Sequence, residues 1–243
     1  MKNSLKEFNE NGFAVLKVFN KKTIEKYKKK VLNNLKKSAE KKSIKSLRKL
    51  KRLENYFSFI SDEDHVKLMD RETRTIKIDN ADTKTIMKEK FGKIFSYFSD
   101  KEYKIFRSNG VYSWAGSDIT NYAGFRIVKP KSQKVAGYHS DHYNLKNFRF
   151  TAWVPLVGFS NKYSLNLLPG SHLIKHPNSA TTVNNIGTAT LIKNEYVNKF
   201  KKPFRPNLKP GEVILFHPYL IHGNSVNLGK TLRVSFEIRI CTI

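Results

Sequence analysis

The spacing of apolar positions changes about 100 residues into the chain, from a helical period to a strand period. Residues 21–53 and about 82–99 carry apolar side chains at intervals of three and four, which predicts helices with one buried face. In the first segment these positions are Ile24, Tyr27, Val31, Leu32, Leu35, Ile44, Leu47, Leu50 and Leu53. In the second they are Ile86, Met87, Phe91, Ile94, Phe95 and Phe98. Residues 1–20 predict a short helix and a strand. Residues 54–80 have a mixed pattern, and their acidic cluster around His65 is interpreted as a surface loop rather than a divalent-metal loop.

From about residue 102 the pattern predicts short strands separated by turn residues, including a hairpin turn at Asn109-Gly110. The strands are expected at 105–106, 111–114, 122–128, 148–157, 213–216 and 232–240. The last alternates strictly between an apolar and a polar face. Its apolar positions are Leu232, Val234, Phe236, Ile238 and Ile240, and its polar positions are Arg233, Ser235, Glu237 and Arg239.

Helices followed by many strands predict an α+β fold, a jelly roll with N-terminal helices packed against one sheet. With 243 residues, 39% of them hydrophobic, one domain with a substantial core is expected. It would cover residues 1–243, with a helical part at about 1–100 and the jelly-roll core at about 101–243. No internal repeat is present, and the sequence does not indicate an oligomeric state.

The formal charge of +26 arises from 46 basic and 20 acidic residues. It suits a nucleic acid, an anionic membrane surface or an acidic substrate. Only ten of the basic residues are arginine, which recognises nucleic-acid bases and phosphates better than lysine does. A lysine-rich composition is equally expected from an AT-rich genome. Twelve basic residues lie between Lys28 and Arg52 with one acid, Glu40. We interpret this run as a solvated helix face.

The sequence predicts a soluble cytoplasmic protein. Its single cysteine, Cys241, cannot form an internal disulfide, which fits a reducing compartment. The apolar run from Phe13 to Leu16 is too short for a signal peptide. No apolar stretch approaches the ~20 residues that span a bilayer.

The candidate chemistry lies in a His-x-Asp pattern, His139-Ser140-Asp141, and in a downstream histidine, His222. In an extended segment His139 and Asp141 point to the same face. Two histidines and one carboxylate form the facial triad of non-haem Fe(II) sites. The alternative for an isolated His-x-Asp pattern is a solvated strand edge.

Several motifs in one order make the chain resemble the phytanoyl-CoA dioxygenase family of Fe(II)/2-oxoglutarate oxygenases. These motifs are Asn11-Gly12-Phe13-Ala14-Val15-Leu16, His139-Ser140-Asp141, Leu168-Pro169-Gly170-Ser171-His172, Phe216-His217-Pro218, His222-Gly223 and Arg233. The resemblance implies Fe(II), 2-oxoglutarate and O2 as cofactor and cosubstrates, with release of succinate and CO2. It also selects His222 over His142, His172 and His217 as the third ligand, and the carboxylate ligand favours hydroxylation.

The resemblance also implies a cosubstrate pocket. Arg233 is expected to bind the distal carboxylate of 2-oxoglutarate, which it can hold with two parallel hydrogen bonds. Ser235 shares its strand face, and Trp153 is either a wall of this pocket or a plain core residue. Asn224 stands where the family often has a serine, so its part in the pocket is a prediction for this chain alone.

Arg126 and Tyr143 are candidate substrate contacts. Arg126 is also a candidate for the cosubstrate, although a single arginine on a strand is more often a surface charge. The predicted substrate is a small molecule, and the basic composition favours an anionic one. Two other functions stay open. A nucleic-acid oxygenase is suggested by the charge and by the six-residue separation of Arg233 and Arg239. A non-catalytic cupin-like binding protein would use the same fold for another purpose.

Overall fold

Helices are concentrated in the first hundred residues and strands in the remainder. The computed structural model describes residues 2–70, 72–98, 103–106, 122–132, 137–141, 148–174, 176, 181–184, 187–200, 202–223 and 225–242. Helices α1 to α6 are Lys2–Asn11, Lys21–Lys41, Asp62–Leu68, Asn80–Lys84, Gly92–Phe98 and Asn194–Val197. Strands β1 to β11 are Phe13–Lys17, Thr75–Lys77, Tyr103–Phe106, Tyr122–Val128, Phe148–Val157, Asn166–Leu167, Thr181–Asn184, Gly187–Thr190, Glu212–Phe216, His222–Gly223 and Arg233–Thr242. The 3-10 helices are Lys45–Lys49, Leu53–Ser58 and Ser171–Leu173, and Thr85–Lys90 is π-helical.

A seven-stranded antiparallel sheet forms the centre of the fold. Its strand order is β1-β9-β5-β11-β4-β2, and β3 also pairs with β11. Two small sheets, β6 with β10 and β7 with β8, complete the described strands. This arrangement confirms the predicted α+β jelly roll with helices on one sheet, although the described strands do not close into a barrel.

The two faces of the large sheet have different partners. On one face, Phe236 of β11 contacts Tyr27 of α2 with ring centroids 5.2 Å apart, and Phe150 of β5 contacts Phe8 of α1 at 5.6 Å. On the other face, Trp153 belongs to a separate apolar cluster. The strict alternation of β11 is confirmed, because its apolar positions all pack into the helical core. The polar face is therefore free to form a site.

Two strands from the helical part of the chain extend this sheet. Phe13 to Lys17 pair with β9, and Thr75 to Lys77 pair with β4. The N-terminal residues thus reach both edges of the sheet path that carries the candidate site.

The prediction of continuous helix over 21–53 is correct only as far as Lys41. Asn20 caps α2 by accepting a bond from Thr23 N at 2.8 Å, as favoured at a helix start. Ser43 adopts a φ of 59°, a left-handed conformation that ends the helix. Ile44 N then donates to Ala39 O at 2.8 Å. Short 3-10 helices follow and bury the remaining leucines.

The interpretation of the acidic cluster around His65 as a surface loop is wrong, because Asp62–Leu68 forms α3. Ser61 caps α3 by accepting a bond from Asp64 N at 3.1 Å. Asp62, Glu63 and Asp64 occupy the first turn, where carboxylates are stabilised by the helix dipole. The acidic cluster therefore marks a helix start.

The predicted turn at Asn109-Gly110 and the strand at 111–114 lie outside the described residues. None of the described helices has the length and apolar character needed to cross a bilayer.

Candidate metal centre

His139 and His222 lie directly opposite one another in a two-residue antiparallel bridge. His139 N donates to His222 O at 2.9 Å, and His222 N donates to His139 O at 2.8 Å. Opposed residues of an antiparallel pair project to the same side. The two imidazole centroids are accordingly 4.4 Å apart.

Both imidazoles are held in the form that can bind a metal. His139 Nδ1 lies 2.9 Å from Gly137 O, and His222 Nδ1 lies 2.9 Å from Leu220 O. A carbonyl only accepts, so each Nδ1 carries the proton and each Nε2 keeps its lone pair. Burial lowers the pKa of His139 to about 3 and also lowers the pKa of His222. Both side chains are therefore neutral at physiological pH.

The Asp141 carboxylate completes the cluster. It is buried, and its backbone N donates to Pro218 O at 2.8 Å. Oδ2 accepts from the Thr151 hydroxyl at 2.8 Å and from Arg239 Nη1. Oδ2 also lies 3.9 Å from His222 Nε2, so these two donors hold the carboxylate beside the histidines.

One ligand atom from each of His139, Asp141 and His222 lies within 4.8 Å of the others. Within the described ranges, this is the one group of three or more potential ligands that could hold a metal. Two imidazole nitrogens and one carboxylate oxygen match the donor set of non-haem Fe(II).

Gly223 permits the close approach of the two histidine segments. Its φ is +123°, and a Cβ here would lie 2.5 Å from Gly137 O and 3.0 Å from His139 Nδ1. Only glycine adopts this conformation without strain. The residue after His222 must therefore lack a side chain if His139 is to keep its position.

Arg233 is buried without a carboxylate partner. Its side chain is 6% exposed, and it forms no ion pair with the described residues. Nη1 donates to Tyr163 O at 3.1 Å and to Ser225 O at 3.3 Å, whereas Nε is buried without an acceptor in the described structure. Burial, together with the charges of Arg126 and Arg205, lowers the pKa of Arg233 to about 10. The Arg233 guanidinium therefore stays charged at neutral pH, and a bound anion would compensate its buried charge.

The two histidines of the cluster and Arg233 line the same cavity, which has a volume of about 550 Å³. Among its lining residues are His139 and His222, and also the predicted Arg126, Trp153, Arg233 and Ser235. Trp153 and Ser235 are each 1% exposed. Arg126 lies opposite Ser235 across the β4–β11 pair.

Other predicted residues are placed elsewhere. Tyr143 and Asn224 lie outside the described residues. His172 Nε2 contacts Asn9 O at 3.0 Å, and His217 Nδ1 accepts from Tyr219 N at 3.2 Å. Neither histidine belongs to the cluster of His139, Asp141 and His222.

Four residues that sequence reasoning did not assign to the site contribute to it. Thr151 and Arg239 hold Asp141, and Glu237 and Arg74 line the cavity. Strand alternation already placed Glu237 and Arg239 on the face of Arg233. Arg74 had no comparable signal, because it precedes a three-residue strand within a segment of mixed pattern.

Comparison with known families agrees with this geometry. A sequence profile of the phytanoyl-CoA dioxygenase (PhyH) family matches residues 8–235. Comparison with curated protein sequences gives no match.

Solved structures with a similar fold share little sequence with this chain. SnoK, described as a non-heme alpha-ketoglutarate-dependent carbocyclase from nogalamycin biosynthesis, is 11% identical with a TM-score of 0.60, over 100% of this chain and 84% of that chain. EctD from S. alaskensis is 16% identical with a TM-score of 0.58, and the match covers 100% of this chain and 77% of EctD. The epimerase SnoN in complex with Fe3+, alpha-ketoglutarate and nogalamycin RO is 13% identical with a TM-score of 0.53, over 99% and 83%. At these identities the similarity establishes the fold.

Proposed function

Because the chain belongs to the phytanoyl-CoA dioxygenase family and is an Fe(II)- and 2-oxoglutarate-dependent oxygenase, we propose that it hydroxylates an unactivated C–H bond of a small anionic molecule. The family's reaction uses Fe(II), 2-oxoglutarate and O2, and the proposed products are the alcohol, succinate and CO2. The proposal specifies the reaction type and the substrate class within this oxygenase chemistry.

Each site residue has a defined part in this proposal. His139, Asp141 and His222 would hold the iron through Nε2, a carboxylate oxygen and Nε2. Arg233 would bind the distal carboxylate of 2-oxoglutarate, with Ser235 beside it. Trp153 would exclude water from the cosubstrate. When bound, the iron would use O2 as the oxidant, with two electrons from the decarboxylation of 2-oxoglutarate and two from the substrate C–H bond.

The observation that carries the proposal is that one cavity is lined by both histidines of the triad and by Arg233, a buried arginine with no ion pair among the described residues. An isolated buried guanidinium is unfavourable unless an anion compensates it. A facial triad leaves three metal positions open for cosubstrate and O2. Both features are explained by one bound 2-oxoglutarate. Hydroxylation is favoured by the presence of Asp141 as a carboxylate ligand.

Three further statements belong to the proposal. Residues 1–243 act as one domain, supported by the pairing of β1 and β2 with the main sheet. The substrate is a small molecule, since the candidate site is a cavity. The enzyme works in the cytoplasm, for which the single cysteine of the sequence is the support.

The first experiment measures iron and cosubstrate binding without oxygen. Adding Fe(II) and 2-oxoglutarate together to the apoprotein should produce a visible charge-transfer band that neither produces alone. After O2 is admitted, a screen of small anions read out by succinate release should identify the substrate class, and mass spectrometry should find a product 16 mass units heavier. Absence of the band would contradict the assigned site. A product lacking two hydrogens would replace hydroxylation by desaturation or ring closure.

A further inference from the structure

The cavity contains more cationic groups than iron and 2-oxoglutarate can occupy. Four guanidinium groups line it, those of Arg74, Arg126, Arg233 and Arg239. Arg239 contacts Asp141 and lies 3.4 Å from Glu237 Oε2. Arg233 is assigned to 2-oxoglutarate under the proposed function. The two remaining arginines have no such assignment.

Arg74 and Arg126 come from neighbouring segments of the sheet. Arg74 immediately precedes β2, and its carbonyl accepts a bond from Phe125 N at 2.8 Å. Arg126 follows Phe125 in β4. Both residues line the same cavity, and the charge of Arg126 lowers the pKa of Arg74, so the two guanidinium groups lie near each other.

Neither guanidinium is well neutralised by the protein. Arg74 Nε donates to a carbonyl, Asp70 O, at 3.3 Å, and Arg74 forms no ion pair with the described residues. Arg126 Nε is 3.8 Å from Glu237 Oε1, and Glu237 is shared with Arg239. The pKa of Arg74 is lowered by burial first and by the charge of Arg126 second. Glu237 and Asp70 partly offset this effect on Arg74, and an anion bound between the two guanidinium groups would reduce the remaining repulsion.

An apolar wall adjoins these arginines. Phe57 comes from the 3-10 helix Leu53–Ser58, Val66 from α3 and Met69 from the end of α3, and all three line the cavity. Val66 is 59% exposed, although it is apolar. At the rim, Lys129 is neutralised by Asp62 at 2.9 Å. The cavity thus combines a cationic end with an uncovered apolar side.

We propose that Arg74 and Arg126 together bind an oxyanion group of the primary substrate, whose apolar body packs against Phe57, Val66 and Met69. The substrate class is a small amphipathic organic anion bearing a carboxylate, sulfate or phosphate group. Guanidinium groups suit such oxyanions because their planar N–H groups match the oxygen geometry. This inference rests on the proposed function, since it concerns the same cavity with 2-oxoglutarate bound.

The test uses the full chain loaded with Fe(II) and saturating 2-oxoglutarate under anaerobic conditions. The probes are octanoate and phenyl phosphate, each compared with a neutral counterpart, octanamide and benzyl alcohol. Binding is measured by isothermal titration calorimetry, and the charge-transfer band reports whether 2-oxoglutarate stays bound. At least one anion should bind without displacing 2-oxoglutarate, and about 10-fold or more tightly than its neutral counterpart.

The variants Arg74→Gln and Arg126→Gln should each weaken binding of that anion about 10- to 100-fold and leave the affinity for the neutral counterpart unchanged. Arg74→Gln should also retain the affinity for 2-oxoglutarate. The matched control is Arg48→Gln, which removes an exposed arginine outside the cavity lining. If Arg74→Gln does not fold, Arg74→Lys keeps the charge but loses the planar fork, and it should still weaken the anion.

The inference is wrong if neither anion binds the wild-type complex, if the anion displaces 2-oxoglutarate, or if its affinity does not depend on Arg74. In these cases a normal charge-transfer band before the anion is added shows that the assigned iron and 2-oxoglutarate site stands. If the wild-type protein gives no band with Fe(II) and 2-oxoglutarate alone, the proposed function itself has failed.

Discussion

Arg239 and Asp141, 98 residues apart in the sequence, form an ion pair beside the metal centre. The side chain of Arg239 is 13% exposed and that of Asp141 7% exposed. Thr151 donates to the same carboxylate oxygen. Glu237 holds the other side of the Arg239 guanidinium, at 3.4 Å. Under the proposed function, Arg239 therefore orients Asp141, the acidic member of the cluster.

Replacing Arg239 by Gln should weaken iron binding. Groups that orient a metal-binding carboxylate typically contribute about 10- to 100-fold in metal affinity, and the variant leaves the Asp141 carboxylate without its charged partner. Fe(II) affinity, measured by anaerobic equilibrium dialysis, should fall within that range. The Fe(II) affinity of Arg239→Lys should fall less, because lysine keeps the positive charge although it lacks the planar guanidinium. Wild-type affinity in Arg239→Gln would show that Thr151 alone orients Asp141.

Alanine at His139, Asp141 or His222 should abolish iron-dependent succinate release. Each substitution removes one of three protein ligands, and no other described group of His, Cys, Asp or Glu can form an equivalent site. Bound iron and succinate release are measured together. The control is His217→Ala, which alters a histidine outside the cluster and should retain iron. Full activity in any of the three ligand variants would refute the triad.

Replacing Arg233 by Lys should selectively weaken the binding of 2-oxoglutarate. Lysine offers one point charge where the carboxylate requires two parallel donors, so we expect a loss of about 10- to 100-fold. Titration of the charge-transfer band measures this affinity, and iron binding should be unchanged. The matched control is Arg205→Lys. Arg205 is bound by three carbonyls, those of Lys162, Ser164 and Val226, and does not line the cavity. That variant should lose stability without a selective loss of 2-oxoglutarate.

Gly223→Ala should disturb both stability and iron binding. The new Cβ would collide with Gly137 O, and the backbone strain alone costs about 1–3 kcal/mol. We expect a lower Tm and weaker Fe(II) binding. Gly170→Ala is the control, since Gly170 has φ +78° but its nearest atom, Glu10 O, is 3.9 Å away. It should lower the Tm and leave iron affinity unchanged. Equal iron affinities in both variants would show that Gly223 does not set the position of His139.

The basic surface of α2 should be dispensable for turnover. Several lysines of the run between Lys28 and Arg52 pair with acids, as Lys41 does with Glu72 at 2.8 Å, so that part of the charge is compensated within the protein. The double variant Lys36→Gln/Lys37→Gln should keep wild-type succinate release from about 0.05 to 0.5 M salt, a range over which the Debye length changes several-fold. A salt-dependent loss, or tight binding of DNA or RNA at low salt, would favour a nucleic-acid substrate.

Local patterning predicted the residues of the final strand and their faces, because a period of two determines which side chains point together. It therefore placed Arg233 and Ser235 on the cavity side and the apolar residues in the helical core. The contact between Arg239 and Asp141 could not be predicted in this way. It depends on the pairing of Arg239 with Thr151 across β11 and β5, and on the loop that brings Asp141 beside them.

Two differences from the sequence predictions have local physical causes. Ser43 ends α2 in a left-handed conformation, which a pattern of apolar spacing cannot reveal. The acids at 62–64 stabilise the first turn of α3, whereas polarity alone suggested a loop.

Arg74 enters the cavity only because β2 pairs with β4, a contact between residues about 50 positions apart. Such tertiary contacts determine which surface residues become part of a binding site.

The metal cluster and the apolar wall of the cavity are encoded in separate parts of the chain. The cluster comes from residues 139–222, and the wall of Phe57, Val66 and Met69 precedes residue 70. Mutations in residues 53–74 can accordingly alter which molecules enter the site while the iron geometry is preserved. Substrate preference can diverge among relatives without loss of the oxidation chemistry, and exchange of this short segment offers a direct route to enzymes with new selectivity.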